Sequence, residues 1–238
     1  MPSSQHYHIS KILDVIIALK PSSVLDVGAG FGKYGVLCRE YLDLWNEKQQ
    51  YEFETRIDGV EVFTKYITPL HRFIYTNIYT ENILTLVNKL DFSYDLVLLI
   101  DVLEHFEKEE GMMIVKKLLS KNNGILISTP KNPSPQKDAF GNMYETHRSK
   151  WVKQDLTKIG QCYFISDNIS IIAHMTKEQK SVDNLEKKVK LLKSLRSRSL
   201  IRTLKKRLAS NNLVLEIYNT KKKFFLTHLF FFMILLLL

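Results

Sequence analysis

Hydrophobic and polar positions alternate along this chain between two periods. Ile9, Ile12, Leu13, Ile16 and Ile17 recur at helical spacing and predict an amphipathic helix over 9–19, stopped by Pro21-Ser22-Ser23. A short apolar run follows, Val24-Leu25-Asp26-Val27, and reads as a buried strand. Further strands are predicted over 56–62, 73–78, 94–101 and 124–130; the fourth is apolar enough to be buried on both faces. Between them the pattern predicts helices over 33–46, 83–90 and 106–121, the last ending before Gly124. A helix over 149–159 closes at Gly160, and two apolar runs, 163–166 and 169–173, flank Asp167-Asn168 as a hairpin. Strands alternating with helices imply an α/β protein with a doubly wound, mainly parallel sheet and an antiparallel edge hairpin.

The turn after the first strand carries the strongest chemical signal. Gly28-Ala29-Gly30-Phe31-Gly32 puts three glycines between a strand and a helix, so a ligand can approach the backbone closely. Free N–H groups at the helix start favour a nucleotide-like ligand there. Glu61 ends the second predicted strand, where a carboxylate accepts hydrogen bonds from ribose hydroxyls. A nicotinamide dehydrogenase would use a Gly-x-Gly-x-x-Gly loop, whereas the spacing here is Gly-x-Gly-x-Gly with Asp26 two residues ahead. Nucleic-acid amino-methyltransferases carry Asn-Pro-Pro-Tyr or a relative after the fourth strand, where this chain has Ile100-Asp101-Val102-Leu103.

Asp26-Val27-Gly28-Ala29-Gly30-Phe31-Gly32, Glu61 and Asp101-Val102-Leu103-Glu104-His105 together resemble the class I S-adenosylmethionine-dependent methyltransferases, over roughly residues 9–175. The resemblance implies the family's seven-stranded Rossmann-like sheet and S-adenosyl-L-methionine as cofactor. It implies cofactor contacts from Asp26, Gly28, Ala29, Gly30, Gly32, Glu61, Asn77, Ile78, Asp101 and Val102. Asp26 and the glycines would hold the methionine part and Glu61 the ribose. Asn77, where the family usually has Asp, would sit near the adenine amino group, and Ile78 would pack on the ring.

Residues 130–148 form a long loop at the carboxyl edge of the predicted sheet, rich in Phe140, Tyr144, Glu145, His147 and Arg148, with Trp151 nearby. A similar Tyr-Glu-x-His segment occurs in methyltransferases associated with sugar and polysaccharide modification. Methyl transfer to a hydroxyl needs a base, and His105, Glu145 and His147 are the candidate catalytic residues. His105 could instead bond the fourth strand, and Glu104 could serve the start of the next helix. His6 and His8 read as solvated rather than metal-binding, and no metal ligand set is assigned.

Charge divides the chain. Of 34 Lys+Arg and 25 Asp+Glu, residues 181–223 hold 13 basic and 3 acidic, a net of +10, so the remainder carries −1 of the total +9. Leu185, Val189, Leu192 and Leu195, then Leu200, Leu204 and Leu208, form an apolar stripe flanked by lysines and arginines. Such a basic amphipathic helix suits an anionic membrane surface or RNA, or packs on the core with its charges in solvent. The last 15 residues, apolar but for Thr227 and His228, would span about 22 Å as a helix, short of a bilayer core, so an interfacial or partly inserted tail fits better.

The expected organisation is a methyltransferase domain over 1–178, a helical appendage over 179–223 and an apolar tail over 224–238. Two cysteines, Cys38 and Cys162, suggest no disulfide framework, and Met1-Pro2-Ser3-Ser4 begins no secretory signal, which together read as cytoplasmic, with peripheral or tail-anchored membrane attachment. The expected activity is methyl transfer to a small-molecule or glycan-precursor acceptor. An RNA methyltransferase using the basic tail, and an inactive membrane-tethered binding module, are the alternatives.

Overall fold

The computed structural model describes residues 6–49 and 52–209, with 200–209 described through their backbone alone. Seven strands form one sheet: β1 (Ser23–Val27), β2 (Arg56–Val60), β3 (Asn77–Tyr79), β4 (Leu96–Ile100), β5 (Ile125–Pro130), β6 (Gln161–Ile165) and β7 (Ser170–Thr176). Their order is β3-β2-β1-β4-β5-β7-β6. All neighbours run parallel except β7, which is antiparallel to both β5 and β6. This is the class I methyltransferase fold, with the antiparallel edge the sequence predicts. β1 and β4 are buried along their whole length, which explains their unbroken apolar runs.

Helices cover the sheet. α1 (Ile9–Leu19) buries Ile12, Leu13, Val15 and Ile16, and ends on Lys20 in the left-handed region, whose N–H bonds Ile16 O at 2.9 Å; Pro21 forbids continuation. α5 (Lys108–Lys121) buries Ile114, Val115, Leu118 and Leu119, with Glu109 and Glu110 in its first turn and Lys121 in its last, matching the helix dipole. α4 (Ile83–Lys89) starts on the Asn82 side chain, which accepts from Leu84 N.

Three predicted elements differ. The third strand is not 73–78: Phe73 and Ile74 belong to α3 (Pro69–Ile74), and the strand is Asn77–Tyr79. Pro69 opens this helix, where a missing N–H costs nothing, and His71 Nδ1 accepts from Thr68 N at 3.1 Å. The helix over 33–46 is regular only in α2 (Lys33–Cys38); Arg39–Asp43 widens to a π turn and Leu44–Asn46 tightens to 3₁₀. Arg39 explains the change, since its buried guanidinium reaches Asp43 Oδ2 at 2.7 Å and the carbonyls of Ile74 and Thr55. The helix over 149–159 shrinks to α6 (Lys153–Thr157), because Ser149 and Trp151 are tied to the turn after β4.

The chain divides into two compact units, Met1–Val189 and Lys190–Leu238. α7 (Gln179–Ala209) starts in the first, where Val182, Leu185 and Val189 are buried, so packing continues past residue 178. In the second unit Leu191 and Leu195 are exposed. No helix among the described residues is long and apolar enough to cross a membrane. The part of the appendage from 210 onward and the tail over 224–238 lie outside the described residues.

Candidate functional site

The sheet order reverses between β1 and β4, and a cleft of about 520 Å³ opens beyond their carboxyl ends. Gly28, Ala29, Gly30, Glu61, Asp101, Val102, His105 and Glu145 line it. Gly28, Gly30 and Gly32 all have left-handed backbones, with φ of 74°, 55° and 84°. At Gly28 a Cβ would also meet Val102 Cγ2 at 2.6 Å, so the loop can lie against the turn after β4 only without side chains.

Glu61 stands behind this loop. Its Oε2 accepts from Gly30 N and its Oε1 from Phe63 N, both at 2.8 Å. Burial pushes its carboxyl up to about 7 against those two N–H groups. Asp101 takes a left-handed backbone, φ 54°, which a short polar side chain tolerates. Ser128 fixes it twice, through its carbonyl on Asp101 N at 2.8 Å and its hydroxyl on Oδ1 at 2.7 Å. Lys33 from α2 is near enough to Asp101 for the two charges to interact.

Five assigned residues lie off the cleft wall. Asp26 faces away from it, buried, accepting from the Tyr75 hydroxyl at 2.6 Å, and desolvation lifts its carboxyl to about 6. Gly32 packs toward His71, whose ring lies 3.6 Å from a Cβ placed there. Asn77 spends its side chain on the buried Asp58, 3.0 Å away, and Ile78 covers Gly59, so neither lines the cleft. The nearest stretch of this segment in the wall is Glu81-Asn82-Ile83, four residues further on, past the strand that begins at Asn77 rather than 73. His147 lies behind His105, ring centroids 5.1 Å apart.

The loop after β5 does reach the cleft. Phe140 and Gly141 both have positive φ and make a tight turn, and Met143–Glu145 forms a 3₁₀ turn begun by Asn142, whose side chain accepts from Tyr144 N. Asn142, Tyr144 and Glu145 thereby join the wall. Tyr66 donates to Glu145 Oε1 at 3.3 Å, and its ring meets those of Phe31, Phe63 and Phe140. Trp151, grouped with this loop by sequence, is instead fully buried, with Nε1 donating to Leu103 O at 3.1 Å. His105 has Nδ1 3.2 Å from Thr146 O, and burial holds its imidazole down at about 4, so it is neutral at pH 7. Glu104 is buried, accepts from the Thr129 hydroxyl at 3.1 Å, and is pushed up to about 8 by desolvation and by Asp101.

His8 corrects a sequence expectation. It is not solvated but fully buried, with Nε2 3.5 Å from Asp101 Oδ2 and Nδ1 3.4 Å from the Ser170 hydroxyl. His6 is exposed. Sequence reasoning also missed His71, whose Nε2 is 2.9 Å from Gly30 O. The Thr68-Pro69 helix start was the available signal for its placement.

No family model matches the chain, and no curated protein does. Solved structures share its fold. It is similar to an O-methyltransferase family protein from Burkholderia thailandensis, at 13% identity and TM-score 0.53 over 73% of this chain and 56% of that one. It is similar to the bifunctional kinase-methyltransferase WbdD, at 10% identity and TM-score 0.52 over 74% and 40%. It is similar to the N-terminal domain of EvdMO1 with SAH bound, at 15% identity and TM-score 0.50 over 71% and 80%. The chain spans about half the length of the first two. At these identities the likeness is one of fold.

Proposed function

We propose that this protein is an S-adenosyl-L-methionine-dependent methyltransferase acting on a hydroxyl of a small molecule or glycan precursor. The observation that carries the reading is the bare left-handed glycine loop between β1 and α2, backed by the carboxylate of Glu61 at the sheet's switch point. The residues present fit this cofactor. Gly28, Ala29 and Gly30 offer backbone where a side chain would block approach, Glu61 offers a carboxylate for a ribose diol, and Glu81-Asn82-Ile83 offers a polar and an apolar group to a base. When bound, the cofactor supplies a methyl group already activated on a sulfonium.

What remains for the chain is to align an acceptor and exclude water. Tyr144, Glu145 and His105 form the polar wall on the acceptor side. His105 is neutral, with Nδ1–H committed to a carbonyl, so its Nε2 can accept a hydrogen bond or a proton. Glu145, whose Oε1 accepts from the Tyr66 hydroxyl, orients a hydroxyl.

Calorimetric titration of the full chain with S-adenosylmethionine and S-adenosylhomocysteine, with NAD as control, tests the reading. Binding of the first two in the micromolar range, lost in Gly30→Arg and weakened in Glu61→Ala, supports it. A folded protein that binds neither is not a methyltransferase, and the inactive binding module then becomes the better description.

For residues from 181 onward we propose a cytoplasmic location against an anionic membrane surface. The exposed Leu191 and Leu195 on a strongly basic helix support this. Deleting 190–238 should move the protein from the membrane to the soluble fraction. Loss of RNA binding with unchanged partitioning would favour RNA instead.

A further inference from the structure

We propose that Glu104, His105 and His147 form a binding site for a divalent transition-metal cation, Zn²⁺ or a close analogue, at the edge of the cleft, whose wall His105 alone of the three lines. One ligand-capable atom from each of the three lies within 4.8 Å of the others. Two histidines and one carboxylate are the donor set of an open catalytic zinc site, with coordination positions left for water or substrate. Mixed nitrogen and oxygen donors favour Zn²⁺, Co²⁺ or Mn²⁺ over Ca²⁺ or Mg²⁺.

The tautomers are those a metal needs. His105 Nδ1 faces Thr146 O at 3.2 Å and His147 Nδ1 faces Ser134 O at 2.7 Å. A carbonyl only accepts, so both Nδ1 atoms carry the hydrogen and both Nε2 atoms keep a lone pair. A backbone carbonyl on the far nitrogen is the usual support behind a metal-bound histidine. Glu104 is buried with a hydroxyl donor, Thr129, and pairs with no Lys or Arg among the described residues. Burial and the neighbouring Asp101 keep a proton on this carboxyl, and a bound cation would take its place, with the proton released to solvent.

The two segments that carry these ligands are locked together. Arg148 N and Ser149 N both donate to Glu104 O, at 2.7 and 3.1 Å, and Trp151 Nε1 donates to Leu103 O. His147 is thereby held over the turn after β4 although it lies outside the cleft wall. The purely packing alternative explains the contact of the two rings, tilted 43° to each other, but not why both present the same nitrogen.

The consequence for the acceptor rests on the methyltransferase reading. With the cation bound, His105 Nε2 is its ligand and not a base, and a hydroxyl on the cation loses its proton to solvent more readily, so no side-chain base is needed. The O–H bond breaks with the proton passing to water, the O–CH₃ bond forms, and the S–CH₃ bond breaks to leave a neutral thioether. More than one open position favours an acceptor with two adjacent oxygens, such as a vicinal diol.

The test uses the full chain, stripped with a chelator and titrated with Zn²⁺ by calorimetry and with Co²⁺ by visible absorption. Wild type should bind one ion per chain and show Co²⁺ ligand-field bands. His147→Ala and His105→Ala should each weaken binding at least 10-fold, while His6→Ala should leave it unchanged. Thermal melts and S-adenosylhomocysteine titration on the same samples report folding, and the half-exposed His147 keeps the test available if His105→Ala does not fold. Equal ion binding in both histidine variants, or no stoichiometric binding by wild type, overturns the site. Ion binding as expected without S-adenosylhomocysteine binding leaves the site standing and removes the methyltransferase reading. Turnover that is identical before and after the ion is stripped overturns its role toward the acceptor.

Discussion

The imidazole of His71 donates from Nε2 to the carbonyl of Gly30 at 2.9 Å, while its Nδ1 accepts from Thr68 N. One ring thus joins the start of α3 to the middle glycine of the ligand loop. His71→Ala removes a buried partner from both backbone groups, a loss of about 1–3 kcal/mol. Part of this falls on the loop, so S-adenosylhomocysteine affinity should drop about 10-fold in a protein that still unfolds cooperatively. Calorimetry beside urea denaturation checks both. Unchanged affinity would mean that the loop holds its shape without the ring.

Asp26 depends on Tyr75 in a comparable way. Its carboxyl is already raised to about 6 by burial, and the Tyr75 hydroxyl at 2.6 Å is the side-chain donor that opposes the rise. Tyr75→Phe should cost about 1–3 kcal/mol at pH 7 and distinctly less at pH 5, where Asp26 is protonated. Chemical denaturation at the two pH values measures the difference.

Glu61 gives a second pH signature. Its folded value near 7 lies above the ordinary 4.5, so the folded protein holds a proton that the unfolded chain releases. The associated stability is fully present below pH 4.5 and is lost as pH rises through 7. Glu61→Gln cannot titrate. Relative to this variant, wild type should lose on the order of 2 kcal/mol between pH 5 and pH 8, read from unfolding curves across that range. A constant difference would show that Glu61 is ionised throughout.

Gly111 in α5 faces Trp151, and a Cβ there would sit 2.5 Å from Trp151 Cζ2. Alanine gains about 1 kcal/mol of helix propensity over glycine, but displacing a fully buried indole costs about 1–3 kcal/mol. Gly111→Ala should therefore be destabilising by about 1 kcal/mol. It should also loosen the turn that Trp151 holds, seen as faster amide exchange at Arg148 and Ser149.

Much of this was legible because the informative segments are short and chemically plain. Val24 to Val27 and 96–100 can only be buried strands, and glycines at 28, 30 and 32 can only mark a left-handed turn between strand and helix. Misreadings arose where tertiary contacts decide. The apolar Phe73-Ile74-Tyr75 looks like a strand, yet Pro69 starts a helix through it, and Tyr75 is needed against Asp26. That shift moved Asn77 and Ile78 off the cleft and brought in Glu81-Asn82-Ile83. His8 and Trp151 look like surface and loop residues by position; only the folded chain brings Asp101 to the first and Leu103 to the second.

His8 also sets an order of events. It leaves the ribosome well before its partners, Asp101 and Ser170, the second lying 162 positions later. Synthesis thus delivers this ring early and gives it a place only once both partners have been made. Until β7 has been made, nascent chains carry Asp101 and the glycine loop beside a first helix whose leading ring still lacks its Ser170 partner.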